Sequence, residues 1–448
     1  MTPETAATEL GDERQSVAPS PHRPIAPSRL PAALLGETVR QAGMLFTAQS
    51  GALAAGLLIS LIQARWMEPA EMGRFAFCLA VIVVGGIFFE FGLFSAGARV
   101  LALEHDSHGQ RQALGALVIL AALVGLAFSA FIAAVSLPID AIFNKDIHWL
   151  LLGTAALAFF QPFQYFIELG CQGLNQIRLL AVFQLLMSGA YLLLLVALVA
   201  AHRLTAGMAL GAYLAGIAVA TIWTIARLRP SFKGASPYLR TTLRQAREYG
   251  INLYFARVTG VVSSRADQLV IAYFLPDAAP LGVYALVQKF ANPISMLGRS
   301  VALTRFRAFA QLARVPARLT RWNAVLLASV ALGLIIVGPL AIRFFFPRYS
   351  TGAGLLLPFA LANLFAGLFQ PYNSFLASHG RGAEVRNAVA ATAIASLIGL
   401  SIVVPRYGIS GAAWTAAAVM ALDYVLHLYY YQKFKRTLTT NGTDRESI

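Results

Sequence analysis

Charge is what this sequence lacks. Of 448 residues, 12% are Asp, Glu, Lys or Arg and 58% are hydrophobic, whereas a soluble domain carries about 25% charged residues. An ordinary water-soluble globule is excluded. Acid is scarcer than base, 20 residues against 35, for a net charge of +15. Cysteine is nearly absent. Cys78 and Cys171 fall in or beside apolar stretches at no metal-ligand spacing and read as small buried fillers. No Walker phosphate loop and no HExxH zinc motif occurs. His105 and His108 flank Asp106 in a short loop without further ligands, so no metal and no cofactor is expected. No basic start leads into a short apolar core, so no cleaved signal peptide is expected.

What is present is a series of apolar runs from Met44 to Tyr431. Each is about 20 residues, the length of helix that crosses a hydrocarbon core of about 30 Å. In lipid every backbone group must be bonded within its own segment, which favours helices. The fold class expected is an all-α polytopic membrane protein with twelve spans: 43–64, 75–98, 113–136, 149–173, 179–200, 206–228, 249–275, 281–303, 322–346, 353–377, 386–405 and 409–431. With the N-terminus inside, inner segments hold 24 of the Lys and Arg residues, outer loops hold 7, and Arg257, Arg265, Lys289 and Arg299 lie within helices. The positive-inside rule then puts both termini in the cytoplasm. It also accounts for the basic balance without nucleic acid as a partner. The outer loops are all short, leaving no room for a catalytic domain there, and an enzyme is not expected.

The organisation expected is a disordered arm at 1–42, a six-helix bundle at 43–228, a basic linker at 229–248, a second bundle at 249–431 and a tail at 432–448. The Pro-, Ala- and Ser-rich composition of the arm is that of a disordered segment. The basic loops are expected to touch anionic lipids.

One offset of 209 residues relates the halves. "FQPFQYF" at Phe160–Phe166 returns as "FQPYNSF" at Phe369–Phe375. Met72-Gly73 returns as Leu281-Gly282, and Gly173 as Gly382. Six helices per half give the copies one orientation, a parallel pseudo-twofold around a central cavity. Pro162 and Pro371 are expected to kink the fourth and tenth spans. Gln161, Gln164, Gln370 and Asn373 are candidates to face a substrate.

Charges within spans are costly and mark cavities or partners. On the seventh span Arg257, Gly260, Ser264, Asp267 and Gln268 share one helical face, with Arg265 on its flank. On the eighth, Lys289, Asn292, Ser295 and Arg299 share another. Two such stripes predict a basic, wet cavity in the second half, suited to phosphate. The alternative is that Asp267 pairs with Arg265 or Lys289 and only fixes packing. Glu90 and Glu168 approach the inner ends of their spans and either reach the interface or titrate as coupling sites. Asp423 and His427, four apart on one face, form a hydrogen bond, an ion pair or a proton relay.

"ARWMEPAEMGRFAF", "FEFGLFSAGARVLA" and "SSRADQLVIAYFLPDAAPLGVYALVQKF" resemble hallmark segments of oligosaccharide flippases in the multidrug/oligosaccharidyl-lipid/polysaccharide (MOP) exporter superfamily. Asp267, Gly282, Tyr284 and Lys289 match a recurrent acid, glycine, aromatic and base. The resemblance runs from Leu45 to Lys435. It implies transfer of a polyprenyl-diphosphate-linked oligosaccharide from the inner to the outer leaflet of the bacterial inner membrane. The cations would meet diphosphate or acidic sugars, and glycosyltransferases and a polysaccharide polymerase would be pathway partners. The first span carries no charge, unlike the branches that move the peptidoglycan precursor or drugs. A major-facilitator transporter is the alternative, on a partial echo of that family's loop pattern around Asp106-Ser-His-Gly109-Gln-Arg111; a membrane scaffold is another.

Overall fold

The computed structural model describes residues 51–443 except 53, 310, 311 and 313. The arm expected at 1–42 lies outside the described residues. All regular structure among those residues is helical. The helices are α1 (Ala54–Trp66), α2 (Pro69–Phe88), α3 (Leu93–Leu103), α4 (Ser107–Phe143), α5 (His148–Ala158), α6 (Gln161–Gly173), α7 (Ile177–Ala200) and α8 (Ala206–Leu228). There follow α9 (Ser236–Gln245), α10 (Ile251–Phe274), α11 (Ala279–Phe309), α12 (Ala317–Phe345), α13 (Leu356–Leu368), α14 (Gln370–Ser378) and α15 (Gly382–Thr443). Eight helical segments among the described residues are long and apolar enough to cross a membrane.

Local chemistry sets the ends. The Asp106 carboxylate accepts from the Gly109 N–H at 3.0 Å and opens α4. Thr205 caps α8 in the same way, leaving one fewer orphan donor at each start. Pro69 sits in the first turn of α2, where its missing N–H costs nothing. Two expected spans are broken in matching places. α5 gives way to α6 at Phe159–Phe160, and α13 to α14 at Phe369. Pro162 and Pro371 each lie in the first turn after the break. α15 is interrupted at Gly408, whose φ of 57° and ψ of −142° turn the chain between the last two expected spans.

Burial separates centre from rim. In α2, 67% of the apolar stretch is buried; in α7 and α12 the figure is 17%. Leu193 and Phe344 stand exposed on the outer faces of these two helices, as hydrocarbon permits. At the centre α2 crosses α11, and the crossing is reciprocal. A Cβ on Gly73 would lie 1.9 Å from the Ala278 carbonyl oxygen, and one on Gly282 1.9 Å from that of Pro69. Ala278 is the 209-residue counterpart of Pro69, so the contact is isologous, the same patch used by both halves. The same end is closed by two further cross-half contacts. Tyr349 Oη donates to the Met67 carbonyl at 3.0 Å. Lys145 Nζ donates to the carbonyls of Leu275 and Pro276, at the C-terminal end of α10, where the helix dipole favours a cation.

At the opposite end the linker forms α9 and a five-residue π-turn, Ala246–Gly250, that feeds α10. It is latched to the first half. Tyr238 Oη donates to Glu104 Oε2 at 2.7 Å, Gln112 Nε2 to the Lys233 carbonyl at 3.1 Å, and the Ser231 N–H to the Arg111 carbonyl at 2.8 Å. The Tyr238 bond, followed by the Asp106 N–H, holds the Glu104 carboxyl below its ordinary range.

Two predictions follow from the packing. Gly282→Ala and Gly73→Ala each force the crossing apart, at about 1–3 kcal/mol for an overpacked contact, and lower the thermal midpoint in detergent. Gly189→Ala, with nothing within 4 Å of the new methyl, leaves it unchanged or higher. The Glu104 latch is fully formed above the ordinary carboxyl pKa and is lost as pH falls through the lowered one. The hydrogen-exchange protection factor of α9, taken relative to the intrinsic rate at each pH, therefore falls on acidification in the wild type, whereas in Tyr238→Phe it is already low at neutral pH.

Candidate functional site

Four cations fall within spans, and the fold treats them differently. Arg257 reaches from α10 into the first half, where its Nη1 lies 2.6 Å from Glu90 Oε1 and its guanidinium 5.3 Å from the Tyr165 ring centroid. Glu90 is 0% exposed. It sits in the break between α2 and α3, where Phe91 and Gly92 take φ of 46° and 71°. A Cβ on Gly92 would lie 2.4 Å from the Gly250 carbonyl oxygen. The linker end of the inter-half contact is thus a backbone-to-backbone approach beside a buried ion pair. Tyr254 Oη adds a bond to the Phe88 carbonyl at 3.0 Å. Glu168 is half-buried nearby and acts electrostatically on Glu90.

Lys289 has no carboxylate within ion-pair distance among the described residues. Its Nζ donates to Gln63 Oε1 of α1 at 3.0 Å and lies 5.4 Å from the Phe75 ring centroid of α2. Gln63 Nε2 in turn donates to Tyr191 Oη at 2.9 Å, and the Tyr191 ring meets Tyr213 edge-on at 5.6 Å. Arg265 makes no ion pair or hydrogen bond to another described residue. It is half-buried and close enough to Lys289, Asp267 and Tyr213 to act on each electrostatically. Arg299 is exposed.

Asp267 pairs with neither cation. Its Oδ2 accepts from Tyr284 Oη and from Gln288 Nε2, both at 2.8 Å, and its Oδ1 accepts from the Gln268 N–H. Asp267 and Asn292 line a cavity of about 190 Å³ between α10, α11, α13 and α15. Elsewhere, Gln161 is buried with its Nε2 on Gln164 Oε1 at 3.4 Å and its Oε1 unpaired. Gln370 is half-buried. His427 Nδ1 lies 3.1 Å from Asp423 Oδ1 and 2.9 Å from the Asp423 carbonyl oxygen, with its ring 4.8 Å from Phe369 at the α13–α14 break. Among the described residues no cluster of three or more His, Cys, Asp or Glu is placed to hold a metal.

The single basic cavity expected in the second half is therefore corrected. The members of each stripe do not act together, because their partners lie on different neighbours. Arg257 is neutralised in the first half, Lys289 faces α1 and α2, and the cavity of the second half carries a carboxylate and no cation. The alternative pairing of Asp267 with Arg265 or Lys289 is not formed either, because Tyr284 and Gln288 occupy the carboxylate. Glu90 does not reach toward an interface. Sequence reasoning missed Gln63, Tyr191 and Gln288. A lone amide in an apolar run was the signal for Gln63, and adjacency to Lys289 the signal for Gln288.

These features define a class: an all-helical, multi-pass membrane protein with polar groups buried among its helices. Solved structures share the fold. Lipid II flippase MurJ in an inward closed conformation matches over 89% of this chain and 90% of its own, at 14% identity and a TM-score of 0.66. An inward-facing multidrug resistance MATE family transporter of the MOP superfamily matches over 88% and 99%, at 13% identity and a TM-score of 0.65. The Vibrio cholerae MATE transporter VcmN, in its bent form, matches over 89% and 98%, at 17% identity and a TM-score of 0.52. No curated protein matches the sequence. Residues 38–300 match the family described as "Polysaccharide biosynthesis protein", and the chain belongs to that family. The fold is that of a transporter of the MOP superfamily, as the resemblance of the sequence segments implied.

The Arg257–Glu90 pair generates a stability prediction. Arg257→Ala leaves an enclosed carboxylate unpaired, at a cost of about 3–5 kcal/mol, read as a lower unfolding midpoint. Glu90→Leu in the same chain restores most of the loss. An Arg257→Ala variant as stable as wild type would show that the pair is not formed.

Proposed function

We propose that this protein moves a polyprenyl-diphosphate-linked oligosaccharide from the cytoplasmic to the outer leaflet of the bacterial inner membrane, for surface or exopolysaccharide synthesis. Two six-helix bundles, 43–228 and 249–431, alternate access to a central site, with both termini cytoplasmic. Pathway glycosyltransferases and a polymerase supply and consume the substrate. The family match to polysaccharide biosynthesis and the fold shared with a lipid flippase support this reading. Nothing in the geometry favours a major-facilitator solute carrier or a scaffold.

The observation that carries it is the pair Arg265 and Lys289. A cation at the centre of a spanning helix costs about 2.5–3.5 kcal/mol even on the lenient scale. Packing alone does not retain two of them without a carboxylate on either. Arg257 shows how the same fold neutralises a cation when its role is structural. Lys289 and Arg265 instead keep their charge available between the halves. A diphosphate supplies what they lack, with the guanidinium matching phosphate oxygens in a fork and the amine acting as a point charge.

Arg265→Ala and Lys289→Ala are each expected to cut flipping of lipid-linked oligosaccharide in reconstituted vesicles by about tenfold or more, since a hydrogen bond to a charged group is worth about 1.5–3 kcal/mol. Protein level and thermal midpoint stay near wild type. Full activity in both variants sinks the reading. Loss of function only when the basic linker is altered would favour a scaffold.

A further inference from the structure

The cavity of the second half lies on different faces of the same two helices that carry the cations. Asp267 stands two residues from Arg265 on α10, and Gln288 stands next to Lys289 on α11. The cavity holds about 190 Å³, room for about six waters at ~30 Å³ each, several times what one ion needs. Its wall is mixed, with an apolar side from α13 and α15 and a polar side of serines and amides on which Asp267 is the one charged group. Ser263, Asn292 and Ser396 line it, and none of the three side chains makes a hydrogen bond to another described residue. Phe359 supplies an apolar wall and is itself fixed by an edge contact with Tyr284 at 4.9 Å.

The carboxylate is arranged as an acceptor. A carboxylate has about four lone-pair sites. Three are filled, by Tyr284, Gln288 and the Gln268 N–H. A hard cation takes six or more oxygens at about 2.3–2.6 Å, and the carboxylate offers it one open lone pair, on Oδ1, in a wall that is otherwise uncharged. A hydroxyl group fits both needs: it donates to the remaining lone pair of Asp267 and accepts from Asn292 or a serine. An anionic group does not fit, because Asp267 repels it and no cation lines the space.

Resting on the lipid-linked-oligosaccharide reading, we infer that this cavity is a saccharide subsite, which takes a neutral, hydroxyl-bearing sugar ring of the headgroup while the diphosphate occupies Arg265 and Lys289. The subsite makes the protein selective at that ring: a neutral hexose is accepted and a uronic acid is rejected.

The test uses the full chain in nanodiscs with five probes: a short-chain prenyl diphosphate, the same lipid bearing one neutral hexose, the same lipid bearing one uronic acid, a free methyl hexoside and sodium chloride. The hexose is expected to tighten binding about tenfold over the bare diphosphate, and the uronic acid to give no gain. Ser396→Leu, which fills the cavity, removes the gain and leaves bare diphosphate affinity and the unfolding midpoint as in wild type. Equal binding of bare and hexose-bearing lipid overturns the subsite and leaves the diphosphate reading standing. Preference for the uronic acid overturns it as well, as does stabilisation by sodium that depends on Asp267 with no response to sugar. Failure of the bare diphosphate to bind overturns the diphosphate reading instead. The methyl hexoside then decides the subsite alone: Ser396-dependent stabilisation supports it, and no stabilisation overturns it.

Discussion

The reciprocal contact of Gly73 with Ala278 and Gly282 with Pro69 is the constraint on which the rest of this structure depends. It brings the backbones of α2 and α11 closer than any side chain would allow. Because equivalent patches of the two halves meet, each glycine is set against the other's neighbour, Gly73 against Ala278 and Gly282 against Pro69. The crossing also fixes what lies further along each helix. Lys289 follows Gly282 by seven residues, two turns and about 10.5 Å. That register carries its amine to Gln63 and over Phe75, which itself stands two residues beyond Gly73. A central cation facing the other half is thus a consequence of where two glycines touch.

At the linker end the halves meet by different chemistry. The Gly92–Gly250 approach is again backbone on backbone, but here it joins a broken helix to a π-turn and stands beside an ion pair with one partner fully enclosed. A dry glycine crossing holds by shape and dispersion, whereas a buried ion pair holds only while its partner is present. The two ends therefore differ in what opens them. One requires helices to slide, and the other requires a charge to be satisfied elsewhere. A mobile anion near Arg257, or a proton on Glu90, supplies the second condition, and neither affects the first.

Much of the fold was legible in the sequence because periodic features report it. The 209-residue offset located Gly73 and Gly282, and the paired "FQP" segments fall at the paired breaks before α6 and α14. Helical phase found Arg257, Asp267 and Lys289 on polar faces. Phase says which residues share a face but not which neighbour that face meets. Glu90 is 167 residues from Arg257 and Gln63 is 226 from Lys289. No local pattern links them, because the link is made by tertiary packing. The second-half basic cavity failed for this reason: two stripes were joined to each other, when Arg257 and Lys289 each meet an element of the first half and Asp267 and Asn292 line a separate cavity. The same limit hid the Tyr284 and Gln288 bonds that take Asp267 away from the cations.

The repeat also separates architecture from chemistry. Residues that pack recur at the offset: Gly73 with Gly282, Pro162 with Pro371, Gly173 with Gly382. The polar and charged groups at the centre do not. The counterparts of Arg265, Asp267, Gln288, Lys289 and Asn292 are Gly56, Leu58, Leu79, Ala80 and Val83, and the counterpart of Gln63 is Ala272. Two halves that were chemically alike would present the same groups on both sides of the central space and hold an anion on the axis. Here cations reach from the second half to amide and aromatic groups of the first, and the hydroxyl-accepting cavity stays wholly within the second. The headgroup proposed above has a charged end and a neutral end, and the departures from the repeat give this protein a cationic region and a cation-free one to match them. The residues that recur set the frame, and the residues that depart from the repeat set the chemistry at its centre.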